Sequence, residues 1–118
     1  MAREIKTIDY DYENDTLFIS RDEKVKSSLD IGDFVIDVNH DNFVSGIEIM
    51  DASENLGVSK ELLKNIKNIK MSVQYKTNHV YILLVMSFKK KGNEVNIPIP
   101  LTLNLGHKTP KKEVLAYN

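Results

Sequence analysis

The sequence predicts an α+β, mainly β fold: antiparallel β-hairpins and a meander sheet, about 7–8 strands in all, with one short helix near 59–66. Three observations carry this expectation. Apolar and polar residues alternate with period two through residues 8–19, 69–75 and 95–105. Turn-forming pairs such as Asn14-Asp15, Gly32-Asp33 and Thr77-Asn78 punctuate the apolar runs. Around residues 59–66 the spacing becomes helical, with Val58, Leu62, Leu63 and Ile66 on one face.

With Asn14-Asp15 as a two-residue turn, Tyr12 stands opposite Leu17 and Tyr10 opposite Ile19 on a core face, while Asp9 and Asp11 point the other way. Residues 25–31 read as a short strand leading into Gly32-Asp33. Residues 34–38 and 43–49 are rich in β-branched and aromatic side chains, flank the turn residues 39–42, and form a second hairpin. Asp51-Ala52-Ser53-Glu54 has capping-box spacing, and Ser59 precedes the helix.

A three-stranded meander follows over residues 69–105. A turn at Thr77-Asn78 sets Tyr75 against Val80, Val73 against Ile82, Met71 against Leu84 and Ile69 against Met86, four apolar pairs on one face. Residues 80–88 are apolar on both faces, so this strand is expected at the centre, at least partly covered on both sides. A two-residue turn at Gly92-Asn93 would put Pro98 and Pro100 in hydrogen-bonded sites they cannot fill. A four-residue loop over 91–94 avoids this: Phe88 faces Ile97, Leu84 faces Leu101, and both prolines turn their missing N–H outward. The outer edge of the last strand then cannot accept a complete further strand.

A chain of 118 residues with 42% hydrophobic and 28% charged residues has ordinary globular composition, so one domain over 1–118 is expected, made of a hairpin half (8–56) and a helix-plus-meander half (57–118). The absence of cysteine excludes disulfides, thiolate metal sites and cysteine nucleophiles, and suits a cytoplasmic location. Nothing in the sequence resembles a signal peptide or a bilayer span. The net charge of −1 conceals a division: residues 1–56 hold five Lys/Arg against fourteen Asp/Glu, a balance of −9, and residues 57–118 hold eleven Lys against three Glu, a balance of +8. Halves of opposite sign complement one another within one fold or dimer, or offer surfaces to oppositely charged partners.

No catalytic residue, cofactor or metal site is nominated. Asp37-Val38-Asn39-His40-Asp41-Asn42 followed by Glu48 approaches a calcium-loop pattern, but flanking strands carry Glu48 along the hairpin away from Asp37, so these residues are expected to form a turn. His40, His79 and His107 are dispersed and the glycines stand singly, so neither a triad nor a phosphate loop is present. Lys89, Lys90 and Lys91, with Lys108, Lys111 and Lys112, could contact phosphates, and Tyr75, Tyr81 and Phe88 could stack on bases. Tyr75 and Phe88 are assigned to a buried face, however, so nucleic-acid binding is not expected. Asp9, Asp11 and Glu13 share a strand face with Asp15 nearby, and form a candidate partner-binding surface.

The run Tyr10-Asp11-Tyr12-Glu13-Asn14-Asp15-Thr16-Leu17-Phe18-Ile19, together with Asp37 and Gly46-Ile47-Glu48-Ile49-Met50-Asp51-Ala52-Ser53, resembles domain-of-unknown-function family 2283 over residues 8–56. Short members end soon after the Ala-Ser segment, whereas this chain continues through a helix and three strands. The family has no established activity. Some members look like the smaller partner of toxin and antitoxin-like pairs, which implies a protein-interaction module, antitoxin-like or self-associating as a homodimer. The rival expectation is a small-ligand or metal-binding protein or enzyme with a pocket between sheet and helix.

Overall fold

Two antiparallel sheets account for the alternating segments, and the computed structural model describes residues 3–104 of the chain. Leu105, His107 and the tail lysines Lys108, Lys111 and Lys112 lie outside the described residues. In chain order the strands are β1 (Arg3–Glu4), β2 (Thr7–Asp11), β3 (Thr16–Ser20), β4 (Val25–Ile31), β5 (Phe34–Asn39) and β6 (Val44–Ile49). Helices α1 (Ala52–Leu56) and α2 (Lys60–Leu63) follow, then β7 (Ile66–Tyr75), β8 (His79–Lys90) and β9 (Asn93–Asn104). One sheet has the order β2-β3-β6-β5-β4 and the other β1-β7-β8-β9. Their apolar faces meet in one buried cluster: Leu17, Ile19, Ile47 and Ile49 from the first, Ile69, Met71, Leu84 and Met86 from the second, all with no exposed surface.

The N-terminal segment belongs to both sheets. β1 pairs with β7, and the Ile5 N–H donates to the Ile69 carbonyl at 2.8 Å. One residue later the Lys6 N–H donates to Ser20 at 2.9 Å, and β2 continues alongside β3. The connection from β3 to β4 is equally economical. It crosses the ends of β6 and β5, about 14 Å at the usual strand spacing, which residues 21–24 reach only when nearly extended. Arg21 is pinned there, donating to the Val44 carbonyl at 3.3 Å and pairing with Glu23 at 3.0 Å. Glu23 in turn accepts from the Asn39 amide at 3.1 Å.

The expected helix near 59–66 is corrected to two short ones. Gly57, in the left-handed region (φ 66°), ends α1, and Ser59 starts α2 by accepting from the Leu62 N–H at 3.2 Å. Ile66, placed on the helix by periodicity, instead opens β7 opposite Phe88, because pairing beside a fully buried aromatic outweighs a weak helical propensity. The first hairpin also differs. Its loop has four residues, not two, so Tyr10 faces Leu17 and Ile8 faces Ile19. The Asp11 carboxylate holds the wider loop by accepting from the Asn14 N–H (3.1 Å) and side-chain amide (2.7 Å). A slip of two residues leaves every side chain on its expected face, but Tyr12 passes from the strand into the loop.

The β7–β8 register is the expected one throughout its four apolar pairs. At the β8–β9 turn Lys91 and Gly92 take positive φ values of 51° and 82°, a two-residue turn closed by Lys90 and Asn93. Phe88 therefore faces Val95 and Leu84 faces Ile99, a register two residues from the expected one. Pro98 and Pro100 still occupy the non-bonded sites, opposite Val85 and Leu83, with their missing donors turned to the outer edge. β8 is central as expected, and its outward face is covered only in part: Tyr81 and Leu83 are each 40% exposed, while Val85 is half-buried and Ser87 buried.

Gly46 marks the tightest approach in the five-stranded sheet. A Cβ there would sit 2.9 Å from the Ile19 carbonyl oxygen and 3.4 Å from Asp37 Oδ2. The backbone oxygen cannot retreat without opening the β3–β6 ladder, so Gly46→Val is expected to cost about 1–3 kcal/mol, the usual penalty of overpacking. Urea unfolding checks this, and an unchanged midpoint would show that the ladder yields freely.

Candidate functional site

Cross-strand register places one continuous row on the outer face of the five-stranded sheet: Asp9, Phe18, Glu48, Val35 and Asp30. The adjoining row runs Thr7, Ser20, Gly46, Asp37 and Ser28, and Asp11 stands opposite Thr16 beyond the first. Five carboxylates thus surround a half-buried Phe18 and Val35, with no lysine or arginine in those rows. Asp37 accepts the Ser28 hydroxyl at 2.6 Å, so it is held in place.

The four acidic residues singled out from the sequence separate. Asp9 lies in the outer row. Asp11 flanks it but serves the turn, and the Asn14 side chain and backbone amide hold its carboxyl below the usual carboxylate range. Glu13 is exposed in the loop. Asp15 faces elsewhere: it accepts the Tyr10 hydroxyl at 2.6 Å, the Ser53 hydroxyl at 2.6 Å and the Ser53 N–H at 3.1 Å. Burial alone would raise Asp15, but the bonds from Ser53 and Tyr10 outweigh it and lower the carboxyl. Asp51, the residue before α1, is left-handed (φ 48°) and makes no side-chain cap bond, so Asp15 caps that helix from 38 positions upstream. Burial, and then the bond to Asp15, raise the Tyr10 phenol.

A second feature lies between β2 and the α2–β7 segment: a groove of about 550 Å³. Its wall includes Tyr10 and Tyr12, whose rings meet edge to face at 6.5 Å. The Tyr12 hydroxyl donates to Glu61 at 2.9 Å, a bond that raises the phenol pKa above its ordinary value. The Lys60 and Lys64 amines stand 4.8 and 4.7 Å from the Tyr12 ring centroid. These lysines were not singled out from the sequence, although their i, i+4 spacing puts them on one helix face.

Residues 39–42 form the expected turn between β5 and β6: the Asn39 side chain accepts from the Asp41 and Phe43 N–H groups at 2.9 Å each. No group of three or more potential metal ligands gathers among the described residues. Lys89 and Lys91 are exposed beside the β8–β9 turn; Tyr75 and Phe88 are buried, whereas Tyr81 is exposed with its ring stacked against His79 at 6.0 Å. No helix among the described residues is long and apolar enough to cross a membrane.

Residues 7–53 match the family described as Protein of unknown function (DUF2283). Those residues are the five-stranded sheet and the start of α1, from the first pairing strand to Ser53. A protein of Methanosarcina mazei named a putative hypoxanthine phosphoribosyltransferase is 31% identical over 104 residues, 77% of this chain and 85% of that protein. The chain belongs to the DUF2283 family. An uncharacterized protein of Methanocaldococcus jannaschii is 48% identical to this DUF2283 protein over 61 residues, 50% of this chain and 53% of the relative. No solved structure matches. In this DUF2283 protein the matched unit includes both ends of the Asp15–Ser53 link, and the second sheet lies beyond it.

Proposed function

We propose that the outer face of the five-stranded sheet is a protein-binding surface for a basic partner. The supporting observation is the row Asp9, Phe18, Glu48, Val35 and Asp30, two apolar side chains among carboxylates with no neutralising cation in the row. Such a face steers an oppositely charged surface into register and offers Phe18 and Val35 for desolvated contact. Two copies meeting through it would bring like charges together, so the reading favours a different basic protein over self-association.

The test is binding of a lysine-rich peptide carrying aromatic residues, followed by fluorescence anisotropy at low and high salt. An Asp9→Lys/Glu48→Lys variant should bind at least about tenfold more weakly, a loss of about 1.4 kcal/mol, while melting within a few degrees of the parent. Equal binding by both proteins would place the contact elsewhere.

The name of the Methanosarcina relative suggests phosphoribosyl transfer to a purine. Phosphate-handling sites rely on glycine-rich loops opening onto long helices. Here α1 and α2 have five and four residues, and Gly32, Gly46, Gly57 and Gly92 stand alone. The described residues thus offer no cradle of that kind for a phosphoribosyl group.

A further inference from the structure

The groove between β2 and the α2–β7 segment combines three properties that seldom coincide on a solvated surface. Its lining includes the apolar residues Ile5, Ile8, Leu63 and Ile66, with Ile8 half-buried. One wall is aromatic, from Tyr10 and Tyr12, and both hydroxyls are already committed to carboxylates, which fixes the rings. Lys6, Lys64 and Lys67 line it and are exposed. Its volume of about 550 Å³ falls in the range of small-molecule sites.

The groove also carries positive charge. The Lys60 and Lys64 ammonium groups stand 4.8 and 4.7 Å from the Tyr12 ring centroid, and Lys64 lines the groove beside Lys6 and Lys67. Asp15 and Glu61 accept the Tyr10 and Tyr12 hydroxyls and so hold the two rings in place. An incoming anion meets the ammonium groups of Lys6, Lys64 and Lys67, and a flat aromatic body covers the aromatic wall.

We propose that this groove binds a small anion with a planar aromatic body, a nucleoside monophosphate or an aromatic carboxylate. The phosphate or carboxylate lies among Lys6, Lys64 and Lys67, and the ring system lies against Tyr10, Tyr12 and Ile8. This site is separate from the acidic sheet face and uses none of its residues.

Calorimetric titration with adenosine 5′-monophosphate, adenosine, ribose 5-phosphate and 1-naphthoate tests it. Saturable binding of the nucleotide is expected, with adenosine and ribose 5-phosphate each at least about tenfold weaker, since each keeps only one of the two contacts. Lys64→Gln/Lys67→Gln should weaken the nucleotide at least fivefold, by the loss of two positive charges, while leaving adenosine unchanged. Amide resonances of residues 5–12 and 60–67 should shift on nucleotide addition. Naphthoate binding more tightly than the nucleotide assigns the groove to aromatic carboxylates. No saturable binding by either probe, ribose 5-phosphate binding as well as the nucleotide, or an undiminished double lysine variant would overturn the proposal.

Discussion

Val73→Asp is expected to abolish stable folding at neutral pH. Val73 is 1% exposed in the middle of β7, facing Ile82, which in turn faces Leu101, with no polar group in that row to receive a carboxylate. The substitution removes apolar burial and strands a charge, so the cost reaches or exceeds about 4–5 kcal/mol, the extreme of single-residue effects and a large share of a small protein's total stability. Circular dichroism and urea unfolding provide the measurement. Lowering the pH should restore some structure, since the protonated acid is cheaper to bury than its anion. A melting temperature near that of the parent would mean that the face of β7 has been assigned wrongly.

Asp15→Asn is expected to cost about 1–3 kcal/mol at pH 7, with its effect concentrated on α1. The asparagine keeps the left-handed backbone that Asp15 adopts (φ 52°) but offers one acceptor oxygen where the carboxylate offers two, so at least one of the donors from Tyr10 and Ser53 loses its partner. The folded protein lowers the Asp15 carboxyl below its ordinary value. Its contribution is therefore present above the unfolded carboxyl's pKa of about 3.9, and disappears as pH falls through the lower folded value. Stability curves for parent and variant should run parallel from pH 7 to about 5 and converge in acid. Curves that stay separated at pH 2 would show that the loss lies in packing rather than charge.

The faces of the strands were legible from the sequence because side-chain period two is insensitive to a slip of two residues. That property explains why Asp9 and Leu17 fell on the expected sides although both the β2–β3 and β8–β9 registers were displaced. Loop length was not legible, because Asp11 closes a four-residue loop through Asn14, a local bond that competes with the tight turn Asn14-Asp15 suggests. The helical connection escaped for a related reason. Asp51-Ala52-Ser53-Glu54 had the spacing of a capped start, but the cap arrives from Asp15, and no pattern confined to residues 51–66 can report a bond to residue 15. The outer acidic row was only partly visible: Asp9 and Asp11 stood out by alternation, whereas Asp30, Asp37 and Glu48 joined them only when β4, β5 and β6 were placed side by side. The lysines of the groove lay on a helix and a strand whose packing against β2 no local pattern specifies.

The segment shared between the sheets has a consequence for the order of assembly. Within each sheet, most pairings join strands separated by a short turn, contacts that close quickly. The bond from Ile5 to Ile69 instead closes a loop of more than sixty residues, which carries a far larger entropic barrier. Residues 3–5 precede every other described part of the protein, yet their partners on β7 emerge only after the whole first sheet and both helices have left the ribosome. This early segment is thus among the latest to find its place, and until it does its ladder to the second sheet is missing.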